Sequence, residues 1–337
     1  MEVNQRVEWI DIAKGITIVL IILLHSCTSA IRDIDFVAFL IYSFTVTSAV
    51  PVLMFLSGCS FALRKEEYCK MSLKDYSKKK ATSLLIPYIV YAFLIYLIFE
   101  IVNLVPVIRS IMANAGYGHM SFITFVKGLL IGNNEFSIHL WYLYALFLFD
   151  IIAYLVIKYR NKYVLLIISI LLFVFSLIYT FSVSMAWEGA VDGLVFFTLG
   201  ICFGEKKCNN ITAIGAMIIW IALFYMYINW QLYYGNDYFL PNRFIPFAAI
   251  IVISSLSKLL RGSLAKILRY LGLRSMVLYL FQQPFFGSAL GTVLVSVLRV
   301  PAFFAVMICI IASFTMPLLI RRIFVRYGWF RYLFRIR

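Results

Sequence analysis

The first apolar segment, VEWIDIAKGITIVLIILLHS (7–26), carries an acid, a base and an imidazole in otherwise apolar surroundings. Lys14 and His25 are eleven residues apart. On a helix that is roughly 1100° of rotation, so the two side chains project within about 20° of each other, about 16 Å apart along the axis. Asp11 falls about 40° from that face and can pair with Lys14 at i, i+3. Histidine is the side chain suited to taking and giving protons near neutral pH. Ionisable groups inside an apolar helix usually mark a functional site. Two plainer readings stand beside this one. Asp11 and Lys14 can form an interfacial ion pair that fixes the helix start, and His25 can make a polar contact between helices.

Four further stretches carry chemistry. In PVLMFLSGCSFALRK (51–65), Pro51 can kink a helix, while Ser57, Gly58 and Ser60 allow close helix approach. Arg64 follows, then a basic stretch ending in Lys78, Lys79 and Lys80. Such cations suit a phosphate-bearing ligand, although topology and snorkelling also account for the lysines. In SIHLWYLYALFLFD (137–150), His139 and Trp141 stand where a span meets the outer face, a common place for belt aromatics. In WEGAVDGLVFFTLG (187–200), Glu188 and Asp192 share one helix face. In LGLRSMVLYLFQQPFFG (271–287), Gln282, Gln283 and Pro284 lie inside a span, where two amides need partners. There is no tight cluster of metal ligands. The six cysteines form no CxxC pair and read as small buried hydrophobes.

The elements that must position these residues are transmembrane helices. The 337 residues are 64% hydrophobic and only 13% charged, against about 25% charged in soluble domains. Apolar runs near 9–30, 36–62, 83–105, 138–157, 163–182, 190–204, 210–229, 243–257, 275–297 and 301–320 predict an all-α integral membrane protein, a bundle of about ten transmembrane helices. The N-terminus carries Glu2 and Glu8 and no small-residue cleavage pattern, so its apolar run reads as a retained helix. With the N-terminus inside, 25 of the 30 Lys and Arg residues fall on the inner side, which makes both termini cytoplasmic. The net charge of +15 is spread between apolar spans rather than gathered on one face, which excludes a nucleic-acid partner. Residues 1–320 read as a single transmembrane domain. Residues 321–337, RRIFVRYGWFRYLFRIR, read as a basic-aromatic cytoplasmic tail suited to anionic headgroups.

These motifs, in this order, resemble the membrane acyltransferase-3 family, and within it the fucose 4-O-acetylase-like, polysaccharide O-acetyltransferase-like branch. The resemblance rests on WIDIAKG (9–15) with ten residues between Lys14 and His25, PVLMFLSG (51–58) with Arg64, and the KKK run ahead of LLIPY (84–88). HLWYLYALFL (139–148) and LGLRSMVLYLFQQP (271–284) complete it. Members often have an arginine where Ser83 stands and a histidine where Gln282 stands. Gln282 can only hydrogen-bond.

The resemblance implies transfer of an acyl group, commonly acetyl, from a cytoplasmic acyl-coenzyme A to a hydroxyl of a lipid-linked or cell-surface glycan. The expected membrane is a bacterial inner or plasma membrane. The acyl-CoA is a co-substrate, and no bound cofactor is expected. His25 would act as general base or covalent acyl carrier. Lys14, Arg64 and Lys80 would hold the donor's phosphates, and Asp11 would orient Lys14. His139, Trp141, Tyr144 and Gln282 would stand on the acceptor side. The rival class is a glycan or lipid transporter or flippase without chemistry. The sequence shows no matching pair of broken segments in two halves of the kind that marks many transporters.

Overall fold

A computed structural model describes residues 7–106, 109–110, 118–179, 184–204, 210–235 and 240–333. All regular structure among the described residues is helical. In hydrocarbon every backbone N–H and C=O must be satisfied within the protein, and long continuous apolar runs do this as helices. The helices that frame the site are α1 (Glu8–Ser26), α2 (Phe36–Val46), α3 (Ala49–Ala62), α4 (Leu73–Lys80), α5 (Ile86–Val102), α6 (Phe122–Ile131) and α7 (Trp141–Tyr159). They continue as α8 (Lys162–Ile178), α9 (Met185–Phe203), α10 (Asn210–Tyr234), α11 (Ile245–Leu259), α12 (Gly262–Gly272), α13 (Ser275–Gln282) and α14 (Ala302–Phe324). Their starts follow from local sequence. The Asn161 side chain accepts from the Tyr163 and Val164 amides at 2.9 and 3.0 Å, and Pro246 sits in the first turn of α11, where no amide is needed.

Among the described residues, eight helical stretches are long and apolar enough to cross a membrane. There are nine if Ser275–Gln282 and Phe285–Val297, bent by 52°, count as one span. The run expected at 163–182 forms α8, of 17 residues. The span expected at 36–62 is present as Phe36–Ala62, interrupted at Thr47 and Ser48 between α2 and α3. Pro51 lies four residues beyond Thr47, whose carbonyl its ring would meet in a continuous helix. The basic stretch between the runs 36–62 and 83–105 is largely helical. Ser72 caps α4, accepting from the Asp75 amide at 3.1 Å, and α4 runs through a π turn (Ala81–Leu85) into α5. The stretch 258–274, between the runs 243–257 and 275–297, holds α12. Of the tail, residues 334–337 lie outside the described residues, as do Arg6 and Cys208. Phe330 is buried against Phe281 and Phe324, so the described part of the tail folds back onto the bundle.

α1 runs through the middle of the bundle, packed by α2, α3, α11, α12, α13 and α14. Two crossings bring backbones into contact. A Cβ on Gly15 would lie 1.9 Å from the Leu268 carbonyl oxygen, and one on Gly272 would lie 1.8 Å from the Asp11 carbonyl oxygen. α1 and α12 therefore touch only because both positions lack a side chain. α3 and α9 cross in the same way through Gly58 and Gly200. These crossings fix where Lys14, His25 and Arg64 sit. On the periphery, α10 and α14 expose Ile218, Ile221, Phe303 and Ile311, an apolar surface suited to lipid.

Candidate active site

Two cavities lie at different levels of α1. The first has a volume of about 540 Å³ and is lined by Asp11, Lys14, Arg64, Lys80, Ser83 and Asp150 among others. The second, about 520 Å³, is lined by His25, His139, Trp141, Tyr142, Asp192 and Arg243 among others. The helical spacing of Lys14 and His25 is thus realised on one unbroken helix, with one residue at each cavity.

In the basic cavity the cations differ in how they are held. Lys14 Nζ donates to Ser60 Oγ at 3.0 Å, and Ser60 donates on to the Leu56 carbonyl at 2.8 Å. Ser60, expected only to ease helix packing, positions Lys14. Lys80 Nζ lies 2.8 Å from Asp150 Oδ1, with side chains 13% and 4% exposed. Tyr76 donates to the same carboxylate oxygen at 3.1 Å, and Lys80 also faces the Tyr68 ring. Lys79 pairs with Glu67 and holds its carboxyl below the usual carboxylate range. Arg64 is half-buried, and its side chain makes no hydrogen bond or ion pair among the described residues. Its guanidinium is the cavity's uncommitted, bidentate-capable cation. Ser83, at the place where an arginine is common, also lines this cavity and donates to the Lys80 carbonyl at 3.1 Å. This chain therefore has one cation fewer at that spot.

The histidine cavity brings residues from distant helices together. His25 arrives on the last turn of α1. His139 arrives on a 3₁₀ turn, Glu135–Leu140, where Ser137 departs from helical geometry before α7 begins. The two imidazoles are close enough to interact electrostatically. The Tyr279 hydroxyl donates to the His139 carbonyl, and the Tyr91 ring stands edge-on to the His139 ring. His139 Nε2 is buried and has no hydrogen-bond partner among the described residues. Trp141 lies across Gly189, where a Cβ would be 2.0 Å from its ring. Beyond it, Arg243 donates to Asp192 at 2.6 Å and to Ser176 at 3.3 Å.

Between the cavities, Ser57 and Tyr142 meet through their hydroxyls at 2.8 Å. Ser57 lines the basic cavity and Tyr142 the histidine cavity.

The acyltransferase domain family matches residues 7–322, from the start of α1 into the last turn of α14. The chain belongs to the acyltransferase-3 family. Neither the curated proteins nor the solved structures gave a match. The protein is accordingly a multi-pass membrane acyltransferase.

Both cavities of this acyltransferase lie within the matched region. Of the residues singled out from sequence, Asp11, Lys14, Arg64 and Lys80 share the basic cavity, and His25, His139 and Trp141 share the other. Tyr144 and Gln282 line neither. The Tyr144 hydroxyl donates to the Leu130 carbonyl at 3.1 Å, and its ring packs on Tyr88 and Trp187. Gln282 is fully buried, and its amide has no hydrogen-bond partner among the described residues. Two residues escaped the linear reading. Asp150 was legible as a carboxylate at the end of an apolar run, which needs a partner. Arg243 stood among the few outer basic residues and gave no sign of its pairing with Asp192.

Proposed function

We propose that this acyltransferase is an O-acetyltransferase of the fucose 4-O-acetylase-like branch. It moves the acyl group of a cytoplasmic acyl-coenzyme A, acetyl in the first instance, to a hydroxyl of a lipid-linked or cell-surface glycan. In this reading ten spans cross a bacterial inner or plasma membrane with both termini inside. Residues 1–320 form the catalytic unit and 321–337 the cytoplasmic tail.

The observation that carries the reading is the division of one helix between two cavities, cations at one level and an imidazole at the other. A coenzyme A donor is polyanionic at its nucleotide end and reactive at the far end of a long pantetheine arm. Arg64 and Lys14 would hold the phosphates. The arm would run about 16 Å along α1 to bring the thioester to His25. Lys80, already paired with Asp150, would shape the cavity wall and lend the donor little charge. The acceptor hydroxyl would enter past Trp141 and the Asp192–Arg243 pair, and His25 would take its proton or carry the acyl group.

The test is cell-surface glycan mass with and without the protein. An acetyl-sized increment that depends on the intact chain supports the reading. An unchanged glycan modification with altered amounts of exported glycan would support the transport class instead.

A further inference from the structure

A single imidazole that carries an acyl group has no lone pair left at the acylated nitrogen. It cannot take the proton of the incoming hydroxyl at that nitrogen, so a covalent route needs a second base within reach of the acceptor. The histidine cavity holds one. His139 lies on its wall beside His25, contributed by a chain segment more than a hundred residues away. Its placement is over-determined: Tyr279 bonds its carbonyl, the Tyr91 ring stands edge-on to its own, and Ser137 re-aims the chain just before it. Yet Nε2, buried at a residue only 6% exposed, has no hydrogen-bond partner among the described residues. Leaving a buried polar atom unpaired is costly, and at a residue that lines a cavity it points to a group that arrives with the substrate.

We propose that the two histidines divide the reaction, with His25 carrying the acyl group and His139 serving as the general base for the acceptor. This rests on the acyl-transfer reading above. In the first step a ring nitrogen of His25 attacks the thioester carbonyl carbon. The N–C bond forms, the C–S bond breaks, and the sulfur leaves as coenzyme A thiol with the proton lost from the imidazole. In the second step the acceptor oxygen attacks the same carbonyl carbon. His139 Nε2 takes the hydroxyl proton as the C–O bond forms, the C–N bond breaks with its electron pair returning to His25, and the proton passes to that imidazole. Both imidazoles end neutral, and one ester and one thiol have formed.

The experiment uses the full chain. Purified protein is incubated with radiolabelled acetyl-coenzyme A, and protein-bound label and released coenzyme A are measured. In parallel, glycan acetylation is measured in cells producing the same variants. His139→Gln should release about one coenzyme A per protein and hold stable label on the His25 peptide, removable by hydroxylamine. Its glycan acetylation should fall by a factor of about 10²–10⁴. His25→Ala should take no label. His139→Ala, which leaves space for a small molecule, should regain glycan acetylation when free imidazole is supplied. Glycan acetylation by His139→Gln within a few fold of wild type overturns the assignment of His139 and leaves the acyl-transfer reading standing. Loss of both label and imidazole rescue in the His139 variants also overturns it, because His139 would then serve the first step or the fold. Wild-type protein that neither releases coenzyme A nor changes the glycan overturns both readings together.

Discussion

The hydroxyl groups of Ser57 and Tyr142, 85 residues apart in sequence, meet at 2.8 Å, and each residue faces a different cavity. Tyr142 also reaches the Leu53 carbonyl at 3.4 Å. In the proposed reading this contact would be the partition that an acyl arm held at the basic cavity passes to reach His25. Ser57→Leu should fill the partition. Acyl transfer should then be lost while coenzyme A still binds, because the substitution leaves Lys14 and Arg64, the proposed phosphate ligands, in place. Equilibrium binding of coenzyme A measured beside transfer decides this, and normal transfer by Ser57→Leu would place the path elsewhere.

The Arg64 side chain has no hydrogen bond or ion pair among the described residues. Removing one charged hydrogen bond to the donor costs about 1.5–3 kcal/mol, which raises the donor KM by about ten- to a hundredfold. Arg64→Ala should show that rise with little change in kcat, and Arg64→Lys should recover part of it. An unchanged donor KM would remove Arg64 from the donor site.

Lys80 and Asp150 form a buried ion pair whose separation leaves an uncompensated charge, at a cost of about 3–5 kcal/mol. Asp150→Ala should therefore lower the thermal stability of the detergent-solubilised protein more than Arg64→Ala does. The double variant Lys80→Met with Asp150→Leu should regain much of the loss. Should Lys80→Met raise the donor KM without affecting stability, Lys80 would be a donor ligand and not part of the wall.

His25→Ala should reduce glycan acylation by a factor of about 10²–10⁴, the usual loss with a proton-transfer or nucleophilic group. His25→Gln keeps a side chain that hydrogen-bonds but cannot take a proton, and it should fail as well. Protein level and membrane insertion should stay near wild type in both. Full acylation by His25→Gln would make His25 a packing residue.

Topology is checked by reporter fusions. Positions near 70, 160, 206 and 265 and the C-terminus should report inside, and positions near 116 and 236 outside. A C-terminus found outside would contradict an even number of spans.

Much of this was legible along the chain. The apolar runs marked the helices because hydrocarbon forces backbone hydrogen bonds to close locally, and local closure follows composition. Lys14 and His25 could be placed on one face because a helix rotates by a constant angle per residue, so a spacing of eleven fixes their relation. Arg64 and the lysine run were visible as cations at the end of an apolar segment. What only the tertiary structure decided is which of these residues meet. Hydropathy separates lipid from protein, but inside a membrane bundle it does not rank one neighbour over another, since apolar faces pack on lipid and on each other with similar ease. The choice came from close approach at Gly15 with Gly272 and at Gly58 with Gly200, and from polar groups that had to find partners. Those constraints joined Lys80 to Asp150, Ser57 to Tyr142 and Arg243 to Asp192, and set His139 beside His25. Each partner comes from another part of the chain, where no local periodicity could announce it.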